Sequence, residues 1–420
     1  MTPNHPTDEM VEGQGPARLP SAPADGVGPS LIRKIDICRG LFAFLVVAAH
    51  AYDVCWVIHP DSLGALPWIV RYVLYFTLQA GFYWVMGFFV ISCYCIQLSA
   101  GRLLGTGRFP LGIYLAARLT RIMPLYYAGL LFTLVVEGLV APIRPNFYPD
   151  GLNPVGWISQ LFFAQRLFQT FGSFAPSWTI TYELFYYVFF GLLAAGAARH
   201  RASPSWLGMG LCVALGGVCQ GLYAIGYKDW YTLNVGMMFG LGADWFLGAL
   251  VAVHGPSLVR HRPIRALAAA WPVAFGSAVA LRADGRCPLQ AIYLVLGIAF
   301  ALMILRFQAV AAREAAGPRP APSRFSKVAE VMGLASYPTY LFHGPVMLLL
   351  ATANARWGLI SDWRATWSVL VGSGIGVGVA LGWVAERPIM AWRADLLGRL
   401  KGPSRPRPAA IPSTLLEVSR

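Results

Sequence analysis

Charged residues are scarce in this sequence. Asp, Glu, Lys and Arg make up 12% of the 420 residues, while 57% of the residues are hydrophobic. A soluble domain of average composition has about 25% charged residues, so a water-facing surface for this length cannot be built here. A disordered chain is excluded as well, because disorder requires low hydrophobicity. The composition indicates a polytopic membrane protein, provided that the apolar residues fall into runs of about 20.

Cysteine pairs with metal-binding or redox spacing are absent. The seven Cys residues include no Cys-x-x-Cys pair, and most of them lie inside apolar runs. Their odd number and their setting favour small buried hydrophobic side chains over a disulfide framework or a zinc site. We therefore predict no metal site and no permanently bound cofactor.

A cleavable signal peptide is also lacking. Residues 1–30 contain six Pro and four Gly but no apolar run, which predicts a disordered cytoplasmic tail. Ten apolar runs follow it, near 35–57, 72–98, 120–141, 178–198, 205–226, 232–253, 266–282, 288–306, 333–353 and 366–385. The predicted fold is an all-α polytopic membrane protein, with about ten transmembrane helices within 31–390 and a basic cytoplasmic tail at 391–420.

The basic residues test this topology. With the N-terminus in the cytoplasm, 25 of the 33 Lys and Arg residues fall on the cytoplasmic side and eight on the other. A threefold bias that alternates loop by loop supports ten spans with both termini cytoplasmic. The net charge of +14 is then a consequence of topology, and no nucleic-acid partner is expected.

One external loop, at 142–177, is long and rich in aromatic residues. It contains five Pro and the stretch Trp157–Phe171. This stretch can form a helix that anchors the protein at the membrane interface, or its rings can stack on a sugar.

Polar residues inside membrane spans are costly and therefore point to function. In the first span, Arg39 and His50 are eleven residues apart, which places them on one helix face, about 16 Å apart along the axis. His50 is then a functional histidine in the outer half of the membrane, or a ring satisfied by a neighbouring helix with Arg39 as a topology anchor. Asp53, nearer the interface, is one candidate partner for His50.

Glu183 is the other candidate partner of His50. It lies about one turn or more into the fourth span, at the same depth as His50. A carboxylate at that depth must be protonated, paired or in contact with a water-filled cavity. A His–Glu pair would hold the imidazole in one tautomer, which is the arrangement of a general base.

Two arginines begin the third span. Arg118 and Arg121 have i, i+3 spacing and so share a helix face on the cytoplasmic side. Two fixed guanidinium groups suit a phosphate-rich ligand, although positive charge at this end of a span is also expected from topology alone.

Four further polar residues are weaker candidates. Ser92, in the second span, can bond back to its own helix. Tyr340 and His343 share a face of the ninth span, where a structural hydrogen bond is an alternative to catalysis. Glu386 ends the last span and can pair with the basic loops.

Together these motifs resemble the acyltransferase 3 family, the bacterial integral-membrane O-acyltransferases that modify surface glycans and some secondary metabolites. The resemblance runs in order from about Ile35 to Pro388 and so covers nearly the whole membrane part. The motifs that carry it are Arg39-Gly-Leu…His50, Phe88-Phe-Val-Ile-Ser-Cys-Tyr94, Arg118-x-x-Arg121-Ile-x-Pro-x-Tyr126, Ser177-Trp…Glu183, Ser336-Tyr…Tyr340-Leu-Phe-His343 and Glu386-Arg-Pro388.

The resemblance implies a ten-helix enzyme in the bacterial inner membrane. Such an enzyme takes an acyl group, with acetyl as the first expectation, from cytoplasmic acyl-CoA to a hydroxyl of a carbohydrate or glycan outside. His50 is implied as the essential histidine, and Arg39, Arg118 and Arg121 as residues on the donor side. One position departs from the family pattern, because Cys93 stands where the family usually has Gly. The resemblance therefore does not extend to a close backbone approach at that position.

Two mechanisms and one other class of function follow. His50 can act as a general base on the acceptor hydroxyl with Glu183 orienting it, or it can form an acyl-histidine intermediate that relays the group outward. The alternative class is a proton-coupled carrier of a glycan or small metabolite, because ten spans with buried His and Glu also suit proton relays. No inverted repeat supports the carrier.

Overall fold

The computed structural model describes residues 28–78, 81–104, 109–143, 151–200, 203–316 and 324–401. Within these ranges every regular element is a helix. The α-helices are α1 (Pro29–Ile58), α2 (Pro60–Gly64), α3 (Trp68–Leu78), α4 (Gly81–Leu104), α5 (Leu111–Val140), α6 (Pro154–Leu161), α7 (Trp178–His200), α8 (Pro204–Ala224), α9 (Trp230–Leu258), α10 (Arg262–Ala269), α11 (Trp271–Asp284), α12 (Leu289–Ala315), α13 (Arg324–Trp357), α14 (Trp363–Leu381) and α15 (Arg387–Lys401).

The lengths of these helices match a membrane protein. Among the described residues, eight helices are long and apolar enough to cross a bilayer, and the pair α10–α11, bent by 43°, makes nine if it is one span. The predicted all-α polytopic class is thus confirmed. Helix α13 covers the ninth predicted run but is not among these nine. The count of ten and the side on which the termini lie stay predictions.

Helices α1 and α13 pack closely against each other, and α14 packs against both. Gly40 of α1 lies against the backbone of Met332, and Asp36 of α1 lies against Gly333, both on α13. His50, further along α1, contacts His343, further along α13. The contacts therefore advance in the same direction on both helices, so α1 and α13 are parallel. Small residues at such crossings let the backbones approach, as is common between membrane helices.

Helices α9 and α12 are also parallel. Asp244 of α9 lies against Gly297 of α12, and Gly255 of α9 lies against Gln308 of α12. Because both helices advance in the same direction, the chain between them has to run back along the bundle. The bent pair α10–α11 is the helical structure that makes this return.

The loop at 142–177 folds into the protein over its described part. Helix α6 contributes buried Gln160, and a 3₁₀ turn at Gly172–Ser177 is buried over most of its length. Glu137 of α5 accepts a hydrogen bond from the backbone N–H of Ser173, at 2.6 Å. Gly172 has φ +42 and lies against the Glu137 carboxylate, so a side chain there would strain the backbone and displace that carboxylate. The loop therefore supports the helices near the site.

The boundaries predicted for the two terminal tails differ from those of the described helices. Residues 1–27 and 402–420 lie outside the described residues. Helix α15 extends to Lys401, so the first eleven residues assigned to the C-terminal tail are helical. A π-helical turn at Gly382–Glu386 joins α14 to α15 and directs α15 along α5.

Candidate active site

A cavity of about 260 Å³ lies between α1, α4, α5, α7, α13 and α15. All three arginines predicted from the sequence line it, together with Ser92, Glu183 and Tyr340. The polar residues that line it are Arg39, Ser92, Arg118, Arg121, Thr179, Glu183, Tyr187, Ser336, Tyr337, Tyr340 and Arg393. The cavity therefore has a strongly cationic wall and aromatic rings around it.

Neighbouring side chains hold the arginines of the cationic wall in place. Arg121 forms an ion pair with Glu386, which is fully buried in the π-helical turn. Arg118 donates a hydrogen bond to Ser99 and lies over the rings of Tyr114 and Tyr187. A guanidinium that keeps several N–H groups beyond its first partner can still bind an oxyanion.

Arg39 and Arg393 complete this wall. Arg39 lies 3.6 Å from Asp36 of its own helix. Arg393, on α15, donates from Nε to the carbonyl oxygen of Ala117 at 3.0 Å, which leaves its two terminal nitrogens for the cavity. The sequence pattern did not identify Arg393, because the residue stands in what reads as a basic tail. The sequence feature that could have identified Arg393 is the long helical stretch after Pro388, which carries arginines at 393 and 399.

Glu183 faces the same cavity from α7. Ser92 donates a hydrogen bond to Glu183 Oε1 at 2.7 Å, and the Tyr187 hydroxyl donates to the same oxygen at 2.5 Å. Ser92 therefore reaches across to α7 instead of bonding to its own helix. The three side chains form one polar patch beside Arg118, whose guanidinium lies over the Tyr187 ring.

The two candidate histidines contact each other. Nδ1 of His50 lies 2.7 Å from Nε2 of His343, and the planes of the two rings are within 4° of parallel. Nδ1 of His343 lies 3.1 Å from the carbonyl oxygen of Thr339. A carbonyl oxygen can only accept, so Nδ1 is the protonated nitrogen of His343 and Nε2 of the neutral ring is the acceptor. His50 then donates from Nδ1, and its Nε2 keeps a free lone pair.

His343 is a partner of His50 that the sequence did not suggest. The sequence suggested Glu183 or Asp53, and no hydrogen bond within the described residues joins His50 to Glu183. Depth along a helix sets the height of a side chain but not the direction in which it points. Glu183 points into the arginine-lined cavity, and Asp53 is exposed one turn beyond His50.

Tyr340 lies between the cavity and the histidines. Its hydroxyl donates to the carbonyl oxygen of Pro176 and is 2.7 Å from Thr179 Oγ1. Its ring centroid is 6.1 Å from that of His343 and 6.1 Å from that of Phe88. Tyr340 lines the cavity, whereas His50 and His343 do not. The side chain of Tyr340 thus ends the cavity one step short of the histidine pair.

A comparison with protein families decides the assignment. The model of an acyltransferase domain, that of the acyltransferase 3 family, matches residues 32–387, which is most of the chain. The chain belongs to the acyltransferase 3 family. The resemblance seen in the motifs is thereby confirmed, and the protein is a membrane-bound acyltransferase. No curated protein and no solved structure matches the chain.

Membership in the acyltransferase 3 family explains part of the site. It implies an acyl donor. It also gives no reason to expect the alternative function, a proton-coupled carrier. Arg39, Arg118, Arg121 and both histidines lie inside the matched range, but Arg393 lies beyond its last residue. The fourth arginine of the cavity is therefore a feature of this chain that the family match does not contain.

The unusual Cys93 of this acyltransferase has a structural explanation. Cys93 is fully buried where α4 meets α9. The close approach between these helices is made by Gly248 of α9, which lies against the carbonyl oxygen of Val90 and the backbone nitrogen of Tyr94. Because the glycine stands on the opposite helix, position 93 of α4 can hold a side chain.

Proposed function

We propose that this acyltransferase moves an acyl group, acetyl being the simplest case, from cytoplasmic acyl-CoA to a hydroxyl of a carbohydrate or glycan on the other side of the membrane. The observation that carries the proposal is the arrangement of four arginines at one end of a cavity and a histidine pair beyond its other end. In this proposal the protein lies in the inner membrane of a bacterium.

The arginine end of the cavity suits the phosphates of coenzyme A. Arg39, Arg118, Arg121 and Arg393 present guanidinium groups to one space, and a guanidinium binds phosphate oxygens through two parallel hydrogen bonds. The pantetheine arm would then extend past Glu183, whose carboxylate can accept from an amide N–H. Arg39 and His50 are about 16 Å apart along α1, a distance that the arm can span.

The histidine pair supplies the base in this proposal. His50 Nε2 takes the proton from the acceptor hydroxyl, the hydroxyl oxygen attacks the thioester carbonyl, and the carbon–sulfur bond breaks to release CoA. His343 acts as a positioning residue, because its contact with His50 fixes which nitrogen of His50 has the lone pair. In the variant mechanism, His50 Nε2 attacks the thioester itself and the acyl group then passes from His50 to the acceptor.

Ten crossings with both termini in the cytoplasm are part of the proposal. Two parallel membrane helices start on the same side of the membrane. The chain therefore crosses the membrane an even number of times between the start of one helix and the start of the other. The parallel pair α9 and α12 supports a crossing by α10–α11, and the parallel pair α1 and α13 supports eight crossings before α13. Helices α13 and α14 bring the total to ten. The positive charge bias places the arginine end inside.

The donor test measures thermal stability of the purified protein with acetyl-CoA and longer CoA esters. A ligand present at a hundred times its dissociation constant adds about 2.7 kcal/mol to the native state. Acetyl-CoA is expected to stabilise the wild type and His50→Ala, and to act much less on Arg118→Gln. Arg313→Gln is the control, because Arg313 is exposed beside Glu314, which contacts Lys34 at the same end of the bundle. Absence of any stabilisation of the wild type would contradict the donor proposal.

The two mechanisms differ in a covalent intermediate. Rapid-quench mass spectrometry during turnover detects an acylated peptide containing His50 if the group is relayed, and none if His50 is a general base. His50→Ala is expected to abolish transfer in either case while it leaves acetyl-CoA binding in place.

A further inference from the structure

A second cavity lies at the opposite end of the bundle from the arginine wall. It has a volume of about 260 Å³ and is lined by Tyr75, Phe76, Phe82, Tyr83, Arg282, Leu289 and Tyr293. Helix α12 shows at which end of the bundle this cavity lies. The last turn of α12 carries Glu314, which forms an ion pair with Lys34 at the start of α1. Tyr293, in the first turns of α12, therefore lies toward the end of α1 that carries His50.

The walls of this second cavity are aromatic and partly fixed. Tyr293 and Tyr83 are buried, and the ring centroids of Phe82 and Tyr293 are 4.2 Å apart. Tyr75 forms the exposed side of the opening. Aromatic faces that surround a concave space with few polar groups are the usual composition of a small-molecule site, and they suit the apolar faces of a sugar ring.

Arg282 stands at the mouth of this cavity and makes no ion pair with any residue that the structure describes. The nearest acid in sequence, Asp284, contacts Arg286 instead, at 3.8 Å. Arg282 lines the cavity together with Tyr83 and Tyr293. A guanidinium without an acidic partner at the mouth of a cavity is available for the carboxylate or phosphate of a ligand.

Arg166 is a further cation outside the lining of this cavity. Its guanidinium lies over the rings of Trp178, Tyr182 and Trp230. Like Arg282, it forms no ion pair within the described ranges. Cations without acidic partners contribute a positive potential, which attracts anions from solution.

We propose that this cavity is a binding site for the acceptor and that the acceptor is an acidic sugar, one that carries a carboxylate or a phosphate. The rings of Phe82 and Tyr293 stack on the sugar, and Arg282 binds its anionic group. This inference rests on the proposed function, in which the acceptor reaches His50 from this end. It adds that the acceptor is anionic and names the residues that select it.

The test compares glucuronate with glucose as probes of the purified protein, at equal concentration and with sodium chloride added to match ionic strength. Thermal stability is measured for the wild type, Arg282→Gln and the control Arg286→Gln, which removes an exposed arginine four residues away. Glucuronate is expected to raise the melting temperature of the wild type and of Arg286→Gln, with a much smaller rise for Arg282→Gln. Glucose is expected to act less on all three proteins.

The opposite result would overturn the inference. Equal effects of the two sugars, no effect of either one, or an unchanged effect of glucuronate on Arg282→Gln would each exclude an anion-selective site at Arg282. The same proteins in nanodiscs of phosphatidylcholine, with and without phosphatidylglycerol, test a lipid phosphate as the occupant. Stabilisation by phosphatidylglycerol that disappears in Arg282→Gln, with no response to glucuronate, would also overturn it. Acetyl-CoA stabilisation, measured in parallel, reports on the donor proposal separately.

Discussion

Nδ1 of His50 and Nε2 of His343 lie 2.7 Å apart, although the two residues are separated by 293 positions in the chain. The carbonyl oxygen of Thr339 fixes the proton on the far side of His343. The orientation of His50 is thus set by a chain of two hydrogen bonds that begins at the backbone of α13. A residue that only filled space next to His50 would not determine which nitrogen has the lone pair.

The first prediction concerns His343. We expect His343→Ala to lower the turnover number about 100-fold, because a catalytic group displaced by about 1 Å loses that much, and to leave the affinity for acetyl-CoA unchanged. His343→Gln should recover part of the rate, since its side-chain carbonyl can accept from His50 Nδ1. Steady-state kinetics on purified protein measures both effects.

The control for this prediction is His59→Ala. His59 follows α1 and lies 2.9 Å from the hydroxyl of Thr366, so it also joins two helices but does not touch His50. Equal losses in His343→Ala and His59→Ala, with no recovery in His343→Gln, would mean that His343 only stabilises the fold.

The second prediction concerns the ion pair between Arg121 and Glu386. The Glu386 side chain is 1% exposed and that of Arg121 is 20% exposed. Removal of one partner from a buried pair costs about 3–5 kcal/mol, whereas apolar replacement of both is often neutral. We expect Glu386→Ala to lower the melting temperature strongly, and the double variant Arg121→Met, Glu386→Leu to recover most of it.

Acetyl-CoA binding separates stability from function in the same variants. The double variant should fold but bind acetyl-CoA more weakly than the wild type, because it has lost one guanidinium of the cavity proposed to bind the donor. A Glu386→Ala protein as stable as the wild type would argue against the pair.

The third prediction concerns Arg393, which lines the arginine-rich cavity from α15. The loss of a hydrogen bond to a charged group costs about 1.5–3 kcal/mol, so Arg393→Gln should weaken acetyl-CoA binding roughly 10- to 100-fold. Arg399→Gln on the same helix is the control, because Arg399 pairs with Asp395 on the surface. Calorimetric titration with acetyl-CoA compares the two, and equal affinities would remove Arg393 from the donor site.

The fourth prediction concerns Gly172. A Cβ atom at this position would overlap Oε1 of Glu137, and the backbone has φ +42. Gly172→Ala should therefore destabilise the protein by more than the roughly 1–3 kcal/mol of backbone strain alone, and it should displace the turn whose Pro176 carbonyl accepts from Tyr340.

Gly226→Ala serves as the comparison for Gly172→Ala. Gly226 has φ +111, but a Cβ atom added there would have no neighbour within 4 Å, so only backbone strain applies. Thermal melts of the two variants should differ clearly, and similar melting temperatures would show that the contact with Glu137 is unimportant.

The fifth prediction concerns Cys93 and Gly248. Cys93→Gly should cost more than the roughly 1 kcal/mol of a glycine in a helix interior, because removal of its buried side chain also leaves a small cavity, and it should leave acetyl-CoA binding intact. Gly248→Ala should be much more damaging, since its Cβ would overlap the carbonyl oxygen of Val90. Fluorescence-detected size-exclusion chromatography after heating measures both. A tolerated Gly248→Ala would mean that α4 and α9 can separate at little cost.

Much of this architecture follows from the sequence, because apolar runs and charge alternation are properties of single segments. The grouping of Arg39, Arg118 and Arg121 was predictable for the same reason, since all three lie at one end of their helices. The contact between His50 and His343 was not, because it depends on which helices are neighbours and on how each is rotated about its axis. Glu183 lines the arginine-rich cavity and accepts a hydrogen bond from Ser92, and no hydrogen bond within the described residues joins it to His50.

Arg393 shows a second limit of sequence reasoning. Its segment has the composition of a basic tail, and composition alone cannot show that a π-helical turn at Gly382–Glu386 directs the following helix back along α5. The compact site is therefore assembled by helix packing that only the three-dimensional structure reveals.

The position of Tyr340 has a consequence for the proposed reaction. With its hydroxyl bonded to Pro176 and Thr179 and its ring between Phe88 and His343, Tyr340 separates the arginine-lined cavity from the histidine pair. In the proposed reaction, an acyl group can therefore pass from that cavity to His50 only if the Tyr340 side chain moves aside. Tyr340 would then act as a gate between the acyl donor and His50.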